Sequence, residues 1–204
     1  MTYRINPDLI EKIAAGQQAG VVQSALAFYE LNQDADAYFI INEGHSALLD
    51  GVSETQKRGV AGSALETLIA IALIKEEIRP FYTQAEVAFV HNAKYDIFLY
   101  SEDKTLVTLS LKTSFRDRWK QADLEAFALA QVYKKCLSMC ATFDTSEANV
   151  IKEKISEGKV FGLHHCFDLK QRDDVQKMIS MLKSKKPIEA PEQLGPMLTR
   201  KIKI

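Results

Sequence analysis

The residues with the clearest chemistry lie in one segment, Ser110–Trp119, which reads SLKTSFRDRW. Lys112 stands where a predicted strand ends, and a lysine in that position can meet a phosphate group. Arg116 and Arg118 flank Asp117; arginine matches O6 and N7 of guanine, and a carboxylate accepts from N4 of cytosine. A surface cluster of ion pairs is the alternative interpretation of this triplet. A lysine followed by an Arg-Asp-Arg triplet predicts a site-specific enzyme that cuts DNA.

Asp96 is the candidate ligand for the metal ion that such chemistry needs. Hydrolysis of a phosphodiester requires a metal-bound water, neutralised charge at phosphorus and a positioned cation. Asp96 lies in a predicted strand whose other residues are largely apolar, where a charge needs a partner or an ion. Mg²⁺ prefers oxygen ligands, typically one or two carboxylates with water and phosphate. Asp96 is therefore predicted to bind Mg²⁺; a solvent-facing aspartate at a strand end is the alternative.

Length and composition restrict the class of protein. A chain of 204 residues predicts one domain, and 47% hydrophobic with 26% charged residues is typical of a soluble α/β or α+β protein. No apolar run approaches the roughly 20 residues needed to cross a bilayer, and the N-terminus lacks the apolar stretch of a signal peptide. Three cysteines without metal-ligand spacing predict reduced thiols. We therefore expect a cytoplasmic protein without a membrane partner.

The charge is balanced overall but concentrated locally. A formal net charge of −1 argues against a general nucleic-acid coat. Residues 112–120 nevertheless carry four Lys or Arg against one Asp, and Lys183–Ile204 carries six against two Glu. We interpret residues 184–204 as a basic, solvated tail, with DNA contact as the alternative.

The periodicity of apolar residues predicts a central mixed β-sheet flanked by helices, an α/β (α+β) fold. The predicted helices are Asn6–Ala15, Val21–Leu31, Val60–Ile78, Lys120–Leu137 and Thr145–Ser156, and residues 50–58 are predicted as a turn-rich segment. The predicted strands are Ala85–Val90, Tyr95–Tyr100, Thr105–Leu111, Met139–Phe143 and Lys159–Leu163. The whole chain, 1–204, then forms one catalytic domain with a helical N-terminal part at 1–50.

The site requires a particular strand register. Alternation places Lys112 on the polar face of its strand, away from the apolar residues Val107, Leu109 and Leu111. A four-residue loop at Ser101–Lys104 would pair Tyr100 with Thr105 and turn Asp96 to the opposite face. We therefore predict a connection with an odd number of residues, or a β-bulge. With a metal ion and a phosphate between them, the Asp96 carboxylate and the Lys112 ammonium should lie about 4–7 Å apart.

The stretch from Asp96 to Glu125 resembles type II restriction endonucleases of the PD-(D/E)XK superfamily, and within it the EcoRII-like branch that cuts sites built on CC and GG. In that branch a small residue, here Ser110, replaces the acid two residues before the lysine. A glutamate about thirteen residues after the lysine, here Glu125, takes over metal binding. An arginine-acid-arginine reader follows the lysine, as residues 116–118 do. The resemblance covers about residues 60–165, the predicted nuclease core.

The resemblance implies a role for each site residue. The catalytic residues would be Asp96, Lys112, Glu125 and Glu66, the last on an upstream helix in the sequence GSALET. Asp96 and Glu125 would bind Mg²⁺, and Arg116, Asp117 and Arg118 would recognise DNA bases. One departure is Tyr95, which stands where a proline often precedes the aspartate.

The function expected from this resemblance is that of a Mg²⁺-dependent restriction endonuclease of a prokaryotic restriction-modification system. It would cut double-stranded DNA at a short palindrome of the CCGG, CCNGG or CCWGG type, as a homodimer whose two-fold symmetry matches the site; pairing of dimers into tetramers stays open. One alternative is another nuclease of the same fold, acting in DNA repair or junction resolution, which would not need a base reader. The second is a non-enzymatic DNA-binding module, which would not need Lys112 and Glu125.

Overall fold

The computed structural model describes residues 18–90, 92–191 and 194, the backbone of 201–202, and Asp117 by its backbone alone. Within these ranges the helices are α1 (Ala19–Leu31), α2 (Ala37–Leu49), α3 (Glu54–Lys75), α4 (Trp119–Val132), α5 (Thr145–Ser156) and α6 (Arg172–Ser184). The strands are β1 (Phe81–Ala85), β2 (Tyr95–Ser101), β3 (Leu106–Lys112), β4 (Cys136–Thr142), β5 (Leu163–Asp168), β6 (Pro187–Ile188) and β7 (Lys201–Ile202). A 3₁₀ turn, Arg116–Arg118, leads from β3 into α4.

The strands form one mixed sheet in the order β5-β4-β3-β2-β1-β7, and β6 pairs with the end of β2. The pairs β3–β4 and β4–β5 are parallel, whereas β2 is antiparallel to both β1 and β3. Helices cover both faces of this sheet. The predicted fold class, a central mixed sheet flanked by helices, is confirmed.

The two faces of the sheet have different partners. Val107, Leu109 and Leu111 of β3 belong to a core that includes apolar residues of α1, α2, α3 and α6. Leu106, from the opposite face of the same strand, packs with Leu129 of α4. The predicted alternation of β3 is thus confirmed, and Lys112 faces away from the α3 layer. None of the helices in the described part of the chain is long and apolar enough to cross a membrane.

A compact turn between β2 and β3 sets their register. The Ser101 hydroxyl donates to Asp103, and the Thr105 amide donates to both side chains. These bonds from Ser101 and Thr105 lower the pKa of Asp103 to about 2. Lys104 adopts a left-handed backbone with φ of 63°. Tyr100 consequently pairs with Leu106, across five intervening residues. The predicted odd-numbered connection is confirmed.

One predicted strand, Ala85–Val90, is wrong: the strand is Phe81–Ala85. Phe89 has a left-handed backbone with φ of 65°, which interrupts extended pairing. Val87 and Val90 bury their side chains without strand pairing. The apolar residues of this stretch are buried in a loop, and their pattern resembles that of a strand.

A second misplaced strand is Lys159–Leu163, since β5 begins only at Leu163. The amides of Phe161, Gly162 and Leu163 donate to the carboxylate of Asp123, at 2.8 to 3.0 Å. These contacts attach the segment before β5 to α4. His164 and His165 are the second and third residues of β5.

Several helix boundaries differ from prediction. The helix at 145–156 is confirmed, capped by Asp144 and followed by Gly158 with φ of 68°. α1 extends the prediction by two residues, and α3 begins at Glu54, inside the predicted turn-rich segment. α4 ends at Val132 rather than at residue 137, because β4 takes residues from 136 onward to pair with β3. The predicted helix Asn6–Ala15 lies outside the described residues.

Two helices were not predicted at all. The N-cap of α2 is Asp36, whose side chain accepts from the Phe39 amide at 2.9 Å. Its interior carries Asn42, Gly44 and His45, which weaken the helical pattern. α6 lies in a stretch for which no helix or strand was predicted, although its buried residues Val175, Met178, Ile179 and Leu182 have helical spacing.

The C-terminal segment is a further correction. Pro187 and Ile188 pair with the end of β2, and Lys201 and Ile202 pair with β1. Leu194 between them is buried. Residues 187–188 and 201–202 therefore pair with the sheet instead of forming part of a solvated tail.

Candidate active site

Asp96 and Lys112 meet at one end of the sheet. Asp96 is the second residue of β2 and Lys112 the last of β3, and the pairing of Ile97 with Leu109 brings both to the same face. The Lys112 ammonium donates to Oδ2 of Asp96 at 2.9 Å. The predicted juxtaposition is confirmed, but the distance is shorter than predicted because the two groups form a direct ion pair.

Asp96 is a buried carboxylate with several donors around it. The residue is 7% exposed, so the alternative of a solvent-facing aspartate is wrong. Oδ2 also accepts from the Leu111 amide at 2.7 Å, and Oδ1 accepts from the Gln84 side chain at 3.1 Å. A buried charge needs such partners to be tolerated. They fix the orientation of the carboxylate.

Glu66 joins the site through Gln84. The Gln84 amide nitrogen donates to Oε2 of Glu66 at 2.8 Å as well as to Asp96. One NH₂ group thus lies between carboxylates of α3 and β2. The left-handed backbone of Gln84, unusual for a residue with a side chain, accompanies this contact. No sequence pattern indicated Gln84, because it lies outside the predicted strand Ala85–Val90 and belongs to no recognised motif.

Glu125 lies on α4, near this pair. Burial raises the pKa of Glu125, and the negative charge of Asp96 raises it further, whereas a hydrogen bond from Gln121 and the positive charge of Lys112 lower it. Gln121 donates to the carboxylate at 2.8 Å. The Tyr95 hydroxyl donates to the Glu125 carbonyl at 3.1 Å and so ties α4 to β2. The charges of Asp96 and Lys112 therefore both influence the pKa of the Glu125 carboxyl group.

The side chains at this site are of the type that could take part in holding a magnesium ion. Carboxylates of Asp96 and Glu125, with Glu66 beside Asp96, supply the hard oxygen ligands that Mg²⁺ prefers. The Gln84 NH₂ group donates to both Glu66 and Asp96. The space between these two carboxylates therefore favours a group with positive charge. Across the residues that the structure describes, no three His, Cys, Asp or Glu side chains form a ready-made cation site. Magnesium commonly uses only one or two carboxylates and completes its shell with water and phosphate.

The segment after β3 is held by Glu147 of α5. Its carboxylate accepts from the amides of Phe115 and Arg116, and from the Ser114 hydroxyl at 3.3 Å. Arg116 has φ of 47°. Successive amides beside a left-handed residue form a concave anion site, which Glu147 fills. Sequence analysis missed this role, because a glutamate at the third position of a helix is expected to bond to its own cap.

Arg116 and Arg118 expose their side chains on this turn. Arg118 donates to the Ser114 carbonyl at 3.0 Å, a neutral partner. Neither arginine forms a salt bridge with a described side chain. The surface ion-pair interpretation of the triplet therefore stays an alternative, because the acid between the two arginines is Asp117. The side chain of Asp117 lies outside the described structure.

Comparison of the chain with family models, curated proteins and solved structures found no match. The resemblance in the sequence from Asp96 to Glu125 therefore rests on its motif alone. The geometry around Asp96 and Lys112 is an independent basis for proposing a function.

Proposed function

We propose that the chain is a Mg²⁺-dependent type II restriction endonuclease. It hydrolyses phosphodiester bonds of double-stranded DNA at a short palindrome that contains CC and GG. One observation carries the proposal: a buried carboxylate, Asp96, and a lysine, Lys112, meet at the ends of two strands with Glu66 and Glu125 close by. The motif resemblance gives the same residues.

Each residue of the site has a role in the reaction. Asp96 and Glu125 would hold Mg²⁺, which when bound supplies an activated water and neutralises charge at the phosphate. Lys112 carries its ammonium at the end of β3, where it would neutralise a phosphate oxygen. The Leu111 amide keeps the Asp96 carboxylate oriented. Without a cation, burial favours the protonated form of Glu125; a bound cation would favour its carboxylate form.

The turn at 116–118 would recognise the bases of the DNA site. Arg116 and Arg118 are exposed, and their guanidinium groups would bind guanine O6 and N7. Asp117 would accept from cytosine N4. Glu147 holds the backbone of this turn, which limits the positions the arginines can take.

The symmetry of a palindrome favours a homodimer, in which each protomer contacts one half-site. Assembly of two dimers into a tetramer is the alternative. Activity in a prokaryotic cytoplasm, within a restriction-modification system, is part of the same proposal. Sedimentation of the protein with and without a palindromic duplex measures the oligomeric state.

The decisive experiment is digestion of a supercoiled plasmid of known sequence, with Mg²⁺ or with EDTA, followed by mapping of the ends. Discrete fragments that appear only with Mg²⁺, and not with Asp96→Asn, would support the proposal. Cleavage confined to branched or damaged duplexes would indicate a repair or junction-resolving nuclease. Specific binding without any cleavage would indicate a non-enzymatic DNA-binding module.

A further inference from the structure

A cavity of about 700 Å³ opens beside the turn at 116–118, on the side formed by the start of α3. We call it the basic cavity. Its charged lining residues are Lys57, Arg58, Arg116, Arg118 and Lys170, together with Glu54 and Asp144. Five cationic side chains from three parts of the chain thus converge on one space.

The two acids neutralise only part of this positive charge. Glu54 is engaged by Lys57 of the same helix at 2.8 Å. Asp144 caps α5, accepting from the Glu147 amide and the Ser146 hydroxyl. These bonds, and more weakly the charge of Lys170, lower the pKa of Asp144.

Among the side chains that the structure describes, the remaining cations have no acidic partner within salt-bridge distance. Among described side chains, Arg58, Arg116 and Lys170 form no salt bridge, and Arg118 donates only to a carbonyl. All four are exposed. The cavity therefore has an excess of positive charge.

The floor of the cavity adds no charge of its own. His45 lies against Phe143 with ring centroids 4.3 Å apart, and its Nε2 is 3.2 Å from the Ala61 carbonyl. Burial lowers the pKa of His45 below its usual value, so the ring is neutral at neutral pH. The excess charge comes from the rim, where a ligand would approach from solvent.

We propose that the basic cavity binds a backbone phosphate of the DNA, with Arg58 and Lys170 as its contacts. This inference rests on the proposed function. Arg116 and Arg118 form one wall, and an element that reads base edges in the major groove is bordered by phosphates. Arg58 and Lys170, on other parts of the rim, carry no base-reading role. They are suited to positioning the duplex rather than to selecting its sequence.

The test is the salt dependence of duplex binding by Arg58→Ala, Lys170→Ala and the double variant. Binding of a cognate and an unrelated duplex is measured over a range of salt concentrations, with Mg²⁺ replaced by Ca²⁺ to suppress cleavage. The slope of log affinity against log salt should fall by about one for each residue removed. Both duplexes should lose affinity by the same factor, and Arg58→Lys should keep the slope.

The matched control is Lys134→Ala. Lys134 is exposed and lies just before β4, and because β4 is parallel to β3 it lies at the opposite end of the sheet from Lys112. Its slope should equal that of the wild type. Melting temperatures of all variants should be unchanged, since the substituted side chains are exposed.

Other outcomes separate this inference from the proposed function. An unchanged slope in the double variant, with plasmid cleavage intact, would overturn the inference alone. A loss confined to the cognate duplex would also overturn it, because that is base recognition. Binding of inorganic phosphate that requires Arg58 and Lys170, without any change in the duplex slope, would assign the cavity to a free phosphate instead. A reduced slope in a protein that never cuts DNA would retain the inference and reject the nuclease.

Discussion

The Lys112 ammonium lies 2.9 Å from Oδ2 of Asp96, across the antiparallel pair β2–β3. The contact exists because five residues separate Tyr100 from its partner Leu106; four would have sent Asp96 to the other face. The same oxygen accepts from the Leu111 amide. A cation bound by Asp96 would share this carboxylate with Lys112, so binding of metal and placement of the lysine are coupled.

Asp96→Asn should abolish cleavage and leave specific DNA binding measurable. The amide keeps the size of the side chain but loses the charge that holds both Lys112 and a metal ion. Removal of groups that only support metal ligands already costs about 10- to 100-fold, so a direct ligand should cost more than about 100-fold in cleavage rate. Single-turnover cleavage and a binding titration measure the two quantities. Cleavage near the wild-type rate would contradict the assignment of Asp96.

Glu125→Gln should abolish cleavage and raise the melting temperature at neutral pH without divalent ions. Burial raises the folded-state pKa of Glu125 above its unfolded value. Its contribution to stability is therefore fully present below the unfolded pKa and is lost as pH rises through the folded pKa. Glutamine does not ionise, so the variant does not lose this stability as the pH rises. In thermal melts from pH 4 to 8, the melting temperature of the variant should rise relative to that of the wild type as the pH rises.

Magnesium distinguishes this role of Glu125 from a purely structural one. Added Mg²⁺ should raise the melting temperature of the wild type, by binding the folded state, and should raise that of Glu125→Gln much less. Glu153→Gln, at an exposed position on α5, is the control and should respond as the wild type does. An equal response in Glu125→Gln would rule out Glu125 as a ligand.

Arg116→Ala and Arg118→Ala should remove sequence recognition without affecting stability. Each bidentate contact with guanine contributes about 1–3 kcal/mol of discrimination, so the preference for the cognate duplex should fall roughly 5- to 150-fold per residue. Both side chains are exposed, and neither forms a salt bridge with a described residue, so the melting temperature should hold. A lower melting temperature with intact specificity would favour a structural role.

Glu147→Ala should weaken cognate binding more than unrelated binding, although Glu147 is not expected to touch DNA. Its carboxylate accepts from the amides of Phe115 and Arg116, so its loss frees the turn that carries the arginines. Glu147→Gln keeps one acceptor oxygen and should recover part of the preference. The ratio of cognate to unrelated affinity is the measurement, with Glu153→Ala on the same helix as control. A uniform loss on both duplexes would indicate a general structural defect.

The site was partly predictable because β3 carries a strong local signal. Its alternation predicted which face Lys112 occupies, and the chemistry of the site then fixed the parity of the loop before it. Gln84 and Glu147 were not predictable in the same way. The contacts of Gln84 require a left-handed bend next to the packed helix α3, and those of Glu147 require a turn 31 residues away in sequence. Long-range contacts of this kind leave no local pattern.

The helices of the fold likewise differ in how far the local sequence predicts them. Helices with an uninterrupted apolar stripe, such as α5, were predicted well, whereas the interior of α2 contains Gly44 and four polar residues, Asn42, Glu43, His45 and Ser46. Gly44 packs closely against α3, since an added Cβ there would lie 2.7 Å from the Leu68 side chain. Tertiary contact therefore overrides the low helix propensity of this segment.

Gly162→Ala should be strongly destabilising, which tests how the segment before β5 is attached to α4. An added Cβ would lie 2.3 Å from the Phe127 amide nitrogen and 2.5 Å from the Ala126 carbonyl carbon. Both are backbone atoms of α4 and cannot move aside cheaply. The shift would also separate the amides of 161–163 from Asp123, which is 3% exposed and accepts from all three.

Asp123→Ala should be destabilising for the related reason that these amides lose their acceptor, at about 1–3 kcal/mol for each buried donor left unsatisfied. Gly62→Ala is the matched control, because Gly62 lies within α3 and an added Cβ there meets nothing within 4 Å. Alanine is the better helix former by about 1 kcal/mol, so this control should be neutral or stabilising. Urea denaturation of the three variants gives the free energies of unfolding. If Gly162→Ala unfolds at the same urea concentration as Gly62→Ala, the close packing of residue 162 on α4 does not exist in solution.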